Sequence, residues 1–279
     1  MIPLLLVGAA LAFAALLFLH PHWVAHRRRR IAARSLPGEW RRVLEGLPYV
    51  RRLPAAVRHD LESRVKVFLA EKDFFGARGF EVTDEARVAI AAQACLLLLG
   101  RPGAVFPNLR EIVVYPGAFI VERVRPEPSG VVQEQRQVLA GESHARGQVV
   151  LSWDDVVAGA ADAFDGRNVV LHEFAHQLDQ LKGHANGAPP WLPRARRERW
   201  AQVMGEEFAA LHARLAWGEP SLLDPYAATD PAEFFAVATE HFFEQPERMA
   251  LELPRLHAEL AAFYRIDPAA WGSAAGAGS

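Results

Sequence analysis

The chain has 279 residues, 51% of them hydrophobic, one cysteine and a formal net charge of −2. That length supports one or two domains with a self-sufficient core, and a lone cysteine excludes an internal disulfide or a Cys-based zinc knuckle. Residues 20–42 hold seven arginines against a single glutamate, Glu39, which leaves a mildly acidic body and excludes a nucleic-acid binder with a broad basic face.

Ile2–Leu19 carries no charge and is followed by Trp23 and the run Arg27–Arg30. At ~1.5 Å per residue, about 18 helical residues just cross a bilayer core. No basic residue precedes the apolar run, as a secretory signal requires, and the arginines lie on its C-terminal side. The expectation is an uncleaved single-pass anchor with its basic flank over 1–30, in the inner (cytoplasmic) membrane with the body in the cytoplasm. The alternative is a soluble cytoplasmic protein whose apolar first helix packs on its own core. Residues 31–53, punctuated by proline and glycine, read as a linker with a short helix. A domain over 54–268 and a flexible tail over 269–279 complete the division.

Within the body, 55–77 carries apolar residues at helical spacing (Val57, Leu61, Val65, Phe68). Residues 83–100 read as a buried helix capped by Thr83, with Cys95 an inert core thiol. "EIVVYPGAFIVE" and "GQVVLSW" are β-branched, bounded by glycine and proline, and read as strands of a small sheet, with the polar stretch between them a loop or hairpin. From Asp154 the pattern is helical over 154–164, 166–183, 193–214, 230–244 and 246–263. Asp154 and Asp155 fit the first turn of a helix better than a cleft. The expected fold class is α+β, mainly helical.

The chemistry concentrates in "VVLHEFAHQLD", residues 169–179. On a helix His172 and His176 share one face, one turn apart, close enough to bind one metal. Glu173 projects beside them, where it can take a proton from a water at the metal. The apolar neighbours keep the site dry. The bland reading, two core histidines, leaves three ionisable groups uncompensated in an apolar helix. A catalytic zinc needs a third protein ligand. Asp179 shares the face of His176 but sits on the same rigid helix, where it suits a hydrogen bond from a ligand histidine better than coordination. His184 and His212 sit in no supporting pattern, and His144 and His241 have no placed partner. In "DPYAATDPAEFFAVATEHFFEQPE", Thr229 or Asp230 caps a helix with Pro231 first, and Glu233 lies near its first turn. A carboxylate reaching from this helix makes a two-His, one-Glu site. Glu240 shares that face and is the alternative ligand or a hydrogen-bond acceptor behind the site.

"HEFAHQLD" followed by "YAATDPAEFFAV" resembles the Mlc titration factor A (MtfA) family of zinc metallopeptidases, of gluzincin type, with similarity from about Trp40 to Tyr264. The site is also similar to the catalytic domain of anthrax lethal factor, where a tyrosine lies seven residues before the glutamate ligand, as Tyr226 lies before Glu233 here. The resemblance implies a zincin-like domain with one Zn2+ per chain on His172, His176 and Glu233. It implies Glu173 as general base and Tyr226 as the group that steadies the oxyanion. Lethal factor has a further glutamate one turn after its ligand; this chain has Val237, which leaves that support to Glu240 or Asp179. The implied partners are a peptide or protein substrate, with aminopeptidase activity, and a transcriptional repressor of the Mlc type. Direct nucleic-acid binding is not expected. The competing class is a regulatory binding protein that sequesters a repressor, its zinc site structural or vestigial. A zinc hydrolase acting on a non-peptide bond is a third reading, because metal-activated water does not choose its substrate.

Overall fold

The computed structural model describes residues 18–103, 105–126, 132–144 and 147–271. A first helix, α1 (residues 18–32), lies against the body. Arg28 forks onto Glu71 at 2.8 and 2.9 Å, and the Lys66 ammonium donates to the carbonyls of Ala32 and Arg34 just past the end of α1. No described helix is long and apolar enough to cross a membrane. The expected span, Ile2–Leu19, lies outside the described residues except for its last two.

Residues 31–53 fold as α2 (Gly38–Gly46) and α3 (Pro48–Arg52). They place Leu36, Leu44, Leu47, Val50 and Leu53 in the same core as the rest of the chain. The segment expected to be a linker is therefore packed structure, because its apolar residues find partners on α5. Next comes α4 (Ala55–Glu71), followed by β1 (Asp73–Gly76). The sequence pattern carried that helix to residue 77. It stops six residues earlier because the buried Lys72 ammonium is held by the carbonyls of Phe106 and Leu109, and Asp73–Gly76 pair with a distant strand. Thr83 caps α5 (Asp84–Leu96) as expected, accepting from the Ala86 amide at 3.2 Å. Almost all of α5 is buried, Cys95 included, and burial pushes the Cys95 thiol up to about 12.

The main sheet runs β1-β2-β6-β5. Strands β2 (Glu111–Tyr115) and β6 (Gln148–Ser152) are parallel to each other and to β1, and β5 (Gly141–His144) joins β6 antiparallel at the edge. The second half of the "EIVVYPGAFIVE" stretch is not in this sheet. It forms β3 (Phe119–Pro126), which pairs with β4 (Val132–Leu139) as a separate hairpin. Ser152 ends β6 and caps α6 (Trp153–Ala161), with Asp154 and Asp155 in its first turn.

The helical half comprises α7 (Val169–Asp179), α8 (Arg197–Ala216), α9 (Pro231–Glu244), α10 (Pro246–Glu252) and α11 (Pro254–Tyr264). The helix expected over 246–263 is broken. Leu253, the residue before Pro254, is pushed out of the α region (φ −130, ψ 57), as the proline ring requires. At the other end of the chain, Trp271 packs on the core although it falls in the stretch expected to be a flexible tail. Phe174 of α7 anchors the layers, with Phe106 edge-on at 4.9 Å and Phe68 of α4 at 5.8 Å. Trp200, Phe235 and Phe263 tie α8, α9 and α11 together.

Candidate active site

Local chemistry fixes where α7 begins. Asn168 is extended, and its side chain accepts from the Leu171 amide at 3.0 Å. The first turn of α7 therefore starts at Val169, not at 166, and His172 and His176 fall on one face. Asp230 fixes α9 in the same way, accepting from the Ala232 and Glu233 amides at 2.8 and 3.0 Å with Pro231 in the first position. Glu233 thus leaves the first turn of α9 toward α7.

The three groups meet. The two Nε2 atoms are 3.2 Å apart, and Glu233 Oε2 lies 3.0 Å from that of His172 and 3.4 Å from that of His176. Buried Glu233 Oε2 nevertheless makes no hydrogen bond. One ligand atom from each of the three side chains lies within 4.8 Å of the others, a spacing and donor set that fit a divalent cation. Among the described residues no other group of three such side chains could hold a metal ion. Burial pushes Glu233 toward neutrality, but the two imidazoles outweigh it and hold its carboxyl well below the usual range.

Glu240 sits behind the site. Its Oε1 is 2.8 Å from His172 Nδ1, and its Oε2 accepts the Asn168 amide at 2.5 Å. With Nδ1 so engaged, His172 presents Nε2 as its lone pair. Support for the first histidine thus comes from two turns beyond Glu233, the position of Val237 being simply core. Asp179 does neither job proposed for it. Its carboxylate accepts the amides of Asn186, Gly187 and Ala188 at 2.6, 2.6 and 3.1 Å and folds the loop after α7. That loop is pressed onto Pro231: a Cβ on Gly187 (φ +74) would strike the Pro231 carbonyl. Asp179 therefore fixes α9 against α7 without approaching the donors.

Glu173 is 6% exposed, and burial raises its carboxyl to about 7. Tyr226 lies in a 3-10 turn (Pro225–Ala228) whose Asp224 cap is tied to Arg167 at 2.8 Å. Its ring is 6.1 Å from that of His172. Partial burial and the nearby Glu233 carboxylate raise the phenol to about 12, so it stays protonated. These groups line a cleft of about 450 Å³, bordered by Gly141, Glu142 and Ser143 of edge strand β5.

Several supporting residues lay outside the sequence reading. Asn168 also donates to Gln93 of α5 at 2.8 Å and to Glu244 at 2.9 Å. Its place just before an apolar periodic run was a usable cap signal. The remaining histidines stand apart: His241 is a core residue whose Nδ1 is 3.0 Å from the Val237 carbonyl, His212 packs on Phe208, and His184 is exposed. The side chain of His144 lies outside the description.

Known proteins align with this arrangement along most of the chain. An uncharacterised protein, slr2042, of Synechocystis sp. is 38% identical over 260 residues, covering 92% of this chain and 94% of its own. Mlc titration factor A of Klebsiella pneumoniae is 34% identical, covering 83% of this chain and 87% of its own. Mlc titration factor A of Salmonella gallinarum is 32% identical over 80% of this chain and 84% of its own. Residues 23–265 match the glucose-regulated metallo-peptidase M90 family, a match that spans α1 to α11 and encloses every residue of the site. The chain belongs to that metallopeptidase family.

Proposed function

We propose that the chain is a zinc-dependent peptidase of gluzincin type, with one Zn2+ per chain on His172 Nε2, His176 Nε2 and Glu233 Oε2. The observation that carries this reading is the convergence of two imidazole nitrogens and a carboxylate oxygen within 4.8 Å of one another, with the buried Glu233 Oε2 left without a hydrogen bond. Zinc held there supplies Lewis acidity and lowers the pKa of a water. Glu173, poised near neutral pH by burial, takes the proton of the attacking water and returns it to the leaving amine. Tyr226 donates its phenolic proton as a hydrogen bond to the oxygen on which negative charge develops. Glu240 and Asn168 hold His172 in the required tautomer. Edge strand β5 borders the cleft, so an extended peptide is a fitting substrate shape. Aminopeptidase action is the finer form of this reading and rests on the family resemblance.

The test is metal content by elemental analysis, with peptide hydrolysis, of the purified chain. One zinc per chain, lost in Glu233→Ala and retained in Glu240→Ala and Glu173→Gln, with turnover lost in Glu173→Gln, supports it. Absence of zinc after stripping and re-addition, or wild-type turnover in Glu173→Gln, rejects it.

A second reading draws on the name of the relatives, Mlc titration factor A: the chain binds a transcriptional repressor of the Mlc type, with or without cleavage. Repressor binding that survives both Glu173→Gln and zinc removal would favour this regulatory role over catalysis. The location proposed is the cytoplasmic face of the inner membrane, through Ile2–Leu19 and the arginines that follow, and alkaline extraction of membranes tests it.

A further inference from the structure

A second cavity lies on the side of α4 where α1 docks. Its volume is about 410 Å³, and residues of α1, α4, the end of α5 and the loop after it line it. The floor is apolar: Val67 and Phe68 of α4, Leu98, Leu99, and the thiol of Cys95. At roughly 30 Å³ for a water-sized unit, such a space holds about a dozen units, far more than one structural water. It falls within the ~300–1,000 Å³ of small-molecule sites.

The rim is cationic, and most of its charge is already matched. Arg28 is forked onto Glu71, Arg64 is paired with Asp60 at 2.9 Å, and the Lys72 ammonium is held by two carbonyls. Arg29 lines the same mouth and has no side-chain partner among the described residues. An apolar chamber with one unmatched guanidinium at its entrance is complementary to a chain with a single anionic head. The uncharged stretch Ile2–Leu19 runs into the start of α1, the helix that carries Arg28 and Arg29, so the mouth belongs to the part of the chain best suited to meet lipid-partitioned molecules.

We infer that this cavity binds a medium-length fatty acid, its acyl chain along Val67, Phe68 and Leu98 and its carboxylate on Arg29. The site is separate from the metal cleft and does not depend on the peptidase reading, because none of its residues borders that cleft.

The probe is dodecanoate, titrated calorimetrically into the full chain below its micelle concentration, with 1-dodecanol as the uncharged counterpart. Expected are saturation at one per chain, at least a tenfold loss of affinity in Val67→Trp, and a loss in Arg29→Gln for dodecanoate but not for dodecanol. Cys95 is the sole cysteine and lines the floor, so bound dodecanoate should also slow its modification by a small apolar thiol reagent at least fivefold. This second readout needs no variant and stands if Val67→Trp fails to fold. No saturable binding, unchanged affinity in folded Val67→Trp, or Cys95 modification that proceeds without dodecanoate and is not slowed by it would each overturn the inference. Binding that appears only after residues 1–17 are removed would also overturn it, by assigning the cavity to the chain's own N-terminal segment.

Discussion

The Glu173 carboxylate rests against the bare Cα of Gly141. A Cβ at position 141 would lie 2.5 Å from Glu173 Oε1 and 2.6 Å from its Cγ. Both distances are well inside van der Waals contact, and Val169 blocks the other way out at 2.8 Å. Gly141→Ala should therefore move Glu173 while leaving the three metal donors in place. Displacing a catalytic group by about an ångström can cost on the order of a hundredfold in rate. The expected result is a full metal complement with turnover down by roughly that factor; wild-type kcat in the alanine variant would show that Glu173 needs no fixed position.

In the proposed metal site Glu240, itself held by the Asn168 backbone amide, would act on the metal through His172. Loss of such outer hydrogen bonds typically weakens metal affinity by about 10–100-fold. Competition against a chromophoric chelator should show that loss in Glu240→Ala and a smaller one in Asn168→Ala, which keeps the backbone N–H that Glu240 accepts but uncaps α7. Asn168→Asp keeps the cap acceptor but places a carboxylate near Glu240 and Glu244, so it should not restore affinity. Equal affinity in all three variants would make the network a packing feature only.

Tyr226 is 46% exposed, and its phenol reaches the Glu233 carboxylate of α9. Tyr226→Phe should keep metal content and melting temperature and lower kcat by about 100-fold or more, as removal of one oxyanion donor does. The fall should appear in kcat, with KM nearly constant, because the hydrogen bond forms only as charge develops. A variant altered in KM alone would make the tyrosine a substrate contact.

Glu244 carries a pH signature. Burial outweighs its bonds from Asn168 and the Gly166 amide and raises it from 4.5 to about 8. The native state therefore holds a proton that the unfolded chain has released, and stability falls as pH rises from about 4.5 to about 8. Urea midpoints measured across that window should decline in the wild type and decline less steeply in Glu244→Gln, where the raised Glu173 still contributes. An identical slope in the variant would assign the pH dependence to other groups.

What the sequence made legible was local. His172, Glu173 and His176 lie within one turn and a third, so their spacing alone states the chemistry, and Thr83 and Asp230 declare helix starts through backbone geometry that neighbours dictate. Glu233 needed its cap pattern together with a family resemblance. The rest was set at long range. Asn168 meets Glu240 and Gln93 across 72 and 75 positions, and the need for glycine at 141 arises from a helix that follows it by some thirty residues. Strand β1 exists because β2 pairs with it, so its four residues looked like the end of α4. The break at Pro254 was readable from the proline but was overridden by apolar periodicity on either side.

The donors come from two helices that are far apart in the chain. The histidine pair is synthesised first, and Glu233 and Glu240 follow only after α8. A nascent chain on the ribosome thus carries the two imidazoles before the carboxylate that completes the three-residue group. On the proposed reading, metal capture would wait until α9 has emerged and docked beside α7, and the emerging polypeptide would gain its hydrolytic site only on folding.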